Sequence, residues 1–257
     1  MEKLRPGKSI VEIRQSLKDK MTLAGLRENK NIPVGDQPST YRDCVVIKPW
    51  GNEFLIFKNR HVAVWLLYIK KNHSTSMHCH SRKSTSLVLL SGKALCNTFV
   101  GRNFLGAGDA VAFDKGVFHS TKALSLDDIF VLEIESPPDK VDLFRLHDNY
   151  GRENYCYECL SQMVYDKLEA FGHFYIDSKD VDKEYAAVKD SVSITMRRAS
   201  AGRGGGRGFK PDPAALYSLC DGSLTPKIRV GGIAYGRELK KHAFNGQALL
   251  MEIKFPQ

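Results

Sequence analysis

Met77-His78-Cys79-His80, followed by Ser81-Arg82-Lys83-Ser84-Thr85 and later by Gly108-Asp-Ala-Val-Ala-Phe-Asp-Lys-Gly116-Val-Phe-His119, decides how this 257-residue chain folds. Side chains alternate along a strand, so His78 and His80 project to one face and can reach one ion. Gly108 and Gly116 punctuate a short apolar run, the pattern of a strand, a tight turn and the next strand. That topology returns His119 to the first pair, and the two halves read as one metal pocket in a small β-barrel. Cys79 points away from the pocket by the same alternation. His73 follows Lys70-Lys71-Asn72 and belongs to a turn, with no role assigned.

The spacing resembles the cupin superfamily. Its first motif runs Gly, five residues, His-x-His, three or four residues, Glu, six residues, Gly; its second runs Gly, five residues, Pro-x-Gly, two residues, His. His78, His80 and Gly92 match the first motif, and Gly108, Gly116 and His119 match the second, with Asp114 in place of Pro. Thr85 stands where the family has its metal-binding glutamate, and Asn72 where the first motif opens with glycine. The flanks are Lys48-Pro49-Trp50-Gly51-Asn52-Glu53 on one side and Val131 to Ser136 with Asp142 to Arg152 on the other. They resemble those of the cupin domain of type II phosphomannose isomerases and related sugar-nucleotide cupins. The resemblance covers residues 45–155 and implies a mainly β chain built on a cupin (double-stranded β-helix, or jelly-roll) barrel. With the flanking patterns, the expected organisation is an N-terminal helical extension at 1–42, the barrel at 43–155, a helical connection at 156–189 and a basic β module at 190–257.

Three neutral imidazoles leave a divalent cation its full charge, which makes it a stronger Lewis acid than a carboxylate-ligated one. Such a ligand set suits a transition metal such as zinc, iron, nickel or manganese rather than magnesium or calcium. Thr85 is a poor ligand, but its hydroxyl suits a hydrogen bond to a metal-bound water or a substrate hydroxyl. The family implies isomerisation or epimerisation of a phosphorylated or nucleotide-linked sugar, which needs a base and an electrophile. Glu133 is the candidate base. In Phe130-Val-Leu-Glu-Ile-Glu it alternates with apolar positions, and the plainest reading of that pattern puts Glu133 and Glu135 on a solvated face. Arg82, Lys83 and Arg152 are the candidate substrate-binding cations, because guanidinium and ammonium groups match phosphate. Two other functions use the same residues: a three-histidine non-haem iron oxygenase, and a non-catalytic sugar-binding cupin without metal.

Composition sets the outer limits. A hydrophobic content of 42% supports a sizeable core, and six irregularly spaced cysteines fit a reducing compartment rather than a disulfide framework. No apolar run reaches membrane-spanning length and the opening Met-Glu-Lys-Leu-Arg-Pro is not a secretory signal, so a cytoplasmic protein is expected. The net charge of +9 sits at the ends. Residues 193–257 carry 11 Lys/Arg against 4 Asp/Glu, and residues 1–42 carry 9 against 5. The segment Arg197 to Lys210, with Arg203 and Arg207 among glycines, reads as a loop rather than an RNA-binding domain, so nucleic acid is not an expected partner. Cys156-Tyr-Glu-Cys159 lacks a second ligand pair for zinc and reads as inert thiols at the start of a helix running to Phe171. Ser9 to Met21 reads as an amphipathic helix through Ile10, Ile13, Leu17 and Met21. Asp190 to Arg197, Ile228 to Tyr235 and Gln247 to Phe255 read as strands. Open strand edges make a homodimer a further expectation.

Overall fold

The computed structural model describes residues 9–29, 35–153, 157–188, 191–200 and 209–256. The chain opens with strand β1 (Ile10–Ile13) and helix α1 (Leu17–Asn29). Eleven strands then follow: β2 (Val45–Lys48), β3 (Gly51–Lys58), β4 (Ala63–Ile69), β5 (Met77–Cys79), β6 (Ser84–Leu89), β7 (Lys93–Thr98), β8 (Gly101–Gly106), β9 (Ala110–Phe113), β10 (His119–Ala123), β11 (Ile129–Ser136) and β12 (Phe144–His147). A short strand β13 (Met163–Val164) returns to the same body. Two sheets result, in the orders β1-β9-β6-β11-β4-β3-β2-β13 and β12-β5-β10-β7-β8. Trp65, Leu67, Leu87 and Val131 from the larger sheet and Ala94 and Cys96 from the smaller belong to one buried cluster between the two. This is the jelly-roll barrel of the cupin fold.

A second body of β14 (Glu184–Ala187), β15 (Val192–Ser200), β16 (Leu216–Asp221), β17 (Leu224–Thr225), β18 (Ile233–Tyr235), helix α2 (Gly236–Leu239), β19 (Ala243–Phe244) and β20 (Gln247–Lys254) completes the chain. Its main sheet, β14-β15-β20-β16-β18, packs on the outer face of the larger barrel sheet. Phe54, Ile56, Leu66, Leu132 and Ile134 meet Ile194, Met196, Leu216 and Ile253 there. Each such buried side chain contributes roughly 1.5–3 kcal/mol. The larger sheet is therefore covered on both faces, which is why Phe54-Leu-Ile-Phe57 and Ala63 to Ile69 are continuous apolar runs rather than alternating ones.

Local chemistry explains several turns. Asn72 has φ of 62°, the left-handed region that a motif glycine would occupy, and asparagine tolerates it. Gly51 follows Trp50 because a Cβ there would lie 1.9 Å from the Tyr68 carbonyl oxygen.

Three expectations need correction. The Ser9–Met21 helix is instead β1, paired in parallel with β9, and then α1. Ser16 and Asp19 form the reciprocal bonds that start that helix, whereas Leu17 and Met21 are 73% and 68% exposed. No helix runs through Leu160 to Phe171; two single-turn 3-10 helices, Leu160–Gln162 and Leu168–Phe171, flank β13. The expected Ile228–Tyr235 strand shrinks to β18, because Gly231 and Gly232 turn the chain before it. The strands expected near 190 and 247 form as β15 and β20, while β16 was not foreseen. Cys156 and the loop with Arg203 and Arg207 lie outside the described residues. The five described cysteines are free thiols. No helix among the described residues is long and apolar enough to cross a membrane.

Candidate metal centre

β5 and β10 pair antiparallel with His119 directly opposite His78. His80 follows one residue beyond β5, on the same side as His78. The ring centroids lie 4.5 Å apart for His78 and His119, 5.0 Å for His78 and His80, and 5.6 Å for His80 and His119. One nitrogen from each ring falls within 4.8 Å of the other two. Phe113 stacks on the His119 ring at 4.1 Å and fixes its plane. Cys79 faces the other way, into a cluster with Leu23 and Phe118.

Hydrogen bonds decide whether these residues suit a metal. The Nδ1 of His78 meets the Ser76 carbonyl at 2.8 Å, that of His80 the Asp142 carbonyl at 2.6 Å, and that of His119 the Val117 carbonyl at 3.0 Å. A carbonyl only accepts, so each Nδ1 carries the hydrogen and each Nε2 keeps its lone pair. The His80 Nε2 is buried with no hydrogen-bond partner among the described residues. Three oriented, unprotonated Nε2 atoms are the donor set a divalent transition metal takes.

Burial holds all three imidazoles neutral: His78 and His80 lie well below the usual histidine range, and His119 is lowered to about 4. The unfolded chain takes up these protons near pH 6.5 and the folded one only well below that, so stability is full above 6.5 and falls as pH drops towards 4. His119 alone accounts for about 3 kcal/mol of that loss. Thermal unfolding of chelator-treated protein should therefore fall steeply between pH 6.5 and 4.5, and added zinc should raise the curve without flattening it, because the metal-bound histidines take up no protons either; a level profile without metal would contradict the buried neutral set.

The barrel interior beside the cluster is ionic. Glu133 places Oε1 4.0 Å from His80 Nε2 and Oε2 3.8 Å from Lys140 Nζ. Burial raises Glu133 to about 7, with Lys140 opposing and Glu135 and Glu53 adding to the rise. Lys140 reaches in from the segment after β11, 3.7 Å above the Trp65 ring and 3.0 Å from Glu53. Burial raises Glu53 too, but Lys140 and Lys48 outweigh it and hold that carboxyl at about 2. Lys83 pairs with Glu135 at 2.6 Å. Glu158 accepts from Lys48, from Arg145 at 3.0 Å and from Arg152 at 2.5 Å. The remaining cavity measures about 60 Å3, room for a few waters.

The structure thus brings together His78, His80, His119 and Glu133, with Lys83 and Arg152 in the cavity wall. Glu133 and Glu135 are buried inside the barrel, not on a solvated face, because the apolar positions between them serve the C-terminal sheet. Arg82 points outward, its side chain 58% exposed and paired with Asp139 at 2.6 Å. Thr85 is buried opposite Glu135 on the neighbouring strand, and its hydroxyl has no partner among the described residues. Sequence reasoning missed Lys140 and Trp65 altogether, and Asp142 was quoted only as the start of a flank. Lys48, Glu53 and Arg145 lay within the quoted flanking motifs without being assigned roles.

No protein-family model and no curated protein matches this chain. Solved structures similar to it include KdgF from a Halomonas species, at 16% identity over 41% of this chain and 96% of that one, with a TM-score of 0.36. A Klebsiella pneumoniae protein with a double-stranded β-helix domain is 13% identical over 37% of this chain and 79% of its own, with a TM-score of 0.35. The capsular polysaccharide assembling protein CapF from Staphylococcus aureus is 16% identical over 40% of this chain and 32% of its own, also with a TM-score of 0.36. At such identities and TM-scores these likenesses carry no argument about chemistry. Sheet order and side-chain geometry define what the molecule is: a cupin-type barrel with a buried three-histidine cluster.

Proposed function

We propose that this chain is a metal-binding cupin that takes a small sugar-type ligand against its three histidines and moves a proton on it, as an isomerase or epimerase does. The observation that carries this reading is the convergence of three Nε2 lone pairs beside Glu133. His78, His80 and His119 would hold a divalent transition metal, which when bound supplies an electrophile for a carbonyl or enediolate oxygen. Glu133, poised near neutrality, accepts a proton from a ligand carbon and returns it, while Lys140 steadies its second oxygen. Trp50, Leu67 and Val131 give the cavity an apolar wall, and at about 60 Å3 it admits a sugar ring only as its waters leave and its wall shifts.

Lys48, Lys83, Lys140, Arg145 and Arg152 are each already paired with a carboxylate. A phosphate or nucleotide group on the ligand would displace one of those pairs or lie outside, towards Arg82.

Metal analysis of wild type and His78→Ala, followed by exchange of ligand C–H protons in deuterated buffer with aldose and ketose phosphates, tests the proposal. Near-stoichiometric metal and exchange are expected in wild type, with Glu133→Gln keeping the metal and losing exchange. A protein without metal after reconstitution overturns the reading and leaves a sugar-binding barrel. Iron with oxygen-dependent turnover replaces it with an oxygenase.

A further inference from the structure

His78 stands on β5, His80 one residue beyond it and His119 at the start of β10, and the turns beside them are backed by the N-terminal segment. Leu23 of α1 packs against Cys79, which lies between His78 and His80, and against Phe118, which precedes His119. The Ile13 carbonyl accepts the Asp114 amide at 3.0 Å, and the His80 carbonyl accepts the Gly116 amide at 2.6 Å. Gly116, at φ of 76°, admits Gln15 so closely that a Cβ would lie 2.1 Å from its Nε2. The turn that carries His119 is thus wedged between the His80 backbone and residues 13–19.

Asp19 is the polar centre of this wedge. It is 1% exposed. Its Oδ2 accepts the Ser16 amide at 2.8 Å and the Ser16 hydroxyl at 2.5 Å, which is the ordinary duty of an acidic residue in a first helical turn. Its Oδ1 does something that starting a helix does not require. It accepts the amide of Phe118, 99 residues away, at 2.8 Å. Charge-assisted bonds of this kind are about twice as strong as neutral ones, and this one fixes the peptide next to His119.

We infer that Asp19 is a positioning residue of the three-histidine site, so that α1 holds His119 in ligating register rather than merely packing on the barrel. The inference rests on the metal-binding reading above. The same logic operates across the site at Asp142. That buried carboxylate accepts the Ser81, Arg82 and Lys83 amides at 3.0, 2.7 and 3.2 Å, while its own carbonyl orients His80.

Cobalt(II) titration of the full chain, read by visible absorption, tests the inference in wild type, Asp19→Leu, Asp19→Ala, Asp19→Asn and Leu23→Ala. Leu23→Ala opens a cavity in the same cluster but leaves the Asp19–Phe118 bond. Asp19→Leu and Asp19→Ala should weaken cobalt binding by about 10–100-fold, the usual effect of losing a group that orients a ligand, and should alter the band shape. Asp19→Asn, which keeps an acceptor for Phe118, should restore most of the affinity, and Leu23→Ala should retain the wild-type spectrum. Wild-type affinity in Asp19→Ala overturns the inference, as does an equal loss in Leu23→Ala, since either result reduces α1 to general packing. A wild-type protein that binds no cobalt removes the metal-binding reading and the inference together.

Discussion

His119→Ala is expected to abolish stoichiometric metal binding. Changing a group that only orients a ligand typically costs about 10–100-fold in affinity, so removing one of three ligands should cost more than that. Glu133 and Glu135 each bring an oxygen within 4.8 Å of a His80 nitrogen, but Glu133 shares Lys140 and Glu135 is committed to Lys83. They would hold a metal only by giving up that pairing, and in a different set from the three histidines. Thr85 offers only a hydroxyl. The control is His73→Ala. His73 stacks on Tyr150 at 6.3 Å, away from the cluster, and its loss should leave metal content unchanged. Elemental analysis and calorimetric titration with zinc read both variants, and equal metal in wild type and His119→Ala would remove the site.

The second large effect concerns stability. Glu158 is buried and takes three cations, Lys48, Arg145 and Arg152. Burial raises its pKa, yet Lys48 and Arg145 prevail and hold it ionised. Glu158→Ala leaves those cations buried with one fewer counter-charge, and breaking a buried pair in this way costs about 3–5 kcal/mol. In a chain of this size that is a fall in Tm of roughly 6–20 °C. Replacing Lys48 by Met in the same background should recover part of the loss, because one stranded charge goes with it. Thermal and urea unfolding measure both variants. A change below about 1 kcal/mol would mean that water reaches the network and screens it.

What the sequence made legible follows from which forces are local. The three-histidine cluster could be read because strand alternation and glycine-bounded turns act within a few residues, and Asn72 supplies the left-handed turn its motif position requires. The orientation of Glu133 and Glu135 could not. Leu132 and Ile134 look like the core-facing side of a half-exposed strand, but they face a second sheet formed by residues more than 50 positions later. Both faces are buried, and no local pattern says which apolar layer lies inside the barrel. The N-terminal helix was misplaced for a related reason. Ile10 and Ile13 have helical spacing, but parallel pairing with Ala110–Phe113 overrides it, while Ser16-Leu-Lys-Asp19 was the usable start signal. Lys140, in Pro137-Pro138-Asp139-Lys140, reads as surface and is drawn inside by Trp65 and Glu53 from distant strands and by Glu133 and Glu135 of the strand just before it, whose inward direction the sequence did not show.

The free thiols have a kinetic consequence. Cys44, Cys79, Cys96 and Cys220 are sealed in the core and burial raises their pKa values, whereas Cys159 is partly open to solvent. An alkylating reagent will therefore mark Cys159 at once and reach Cys44, Cys79, Cys96 and Cys220 only when the fold opens locally. Cys79, flanked by two of the three histidines, is a clock for their strand. Any solute that binds only the closed barrel must slow that clock by the factor one plus its concentration over its Kd. The rate of one alkylation thus ranks candidate metals and sugars before any turnover has been seen.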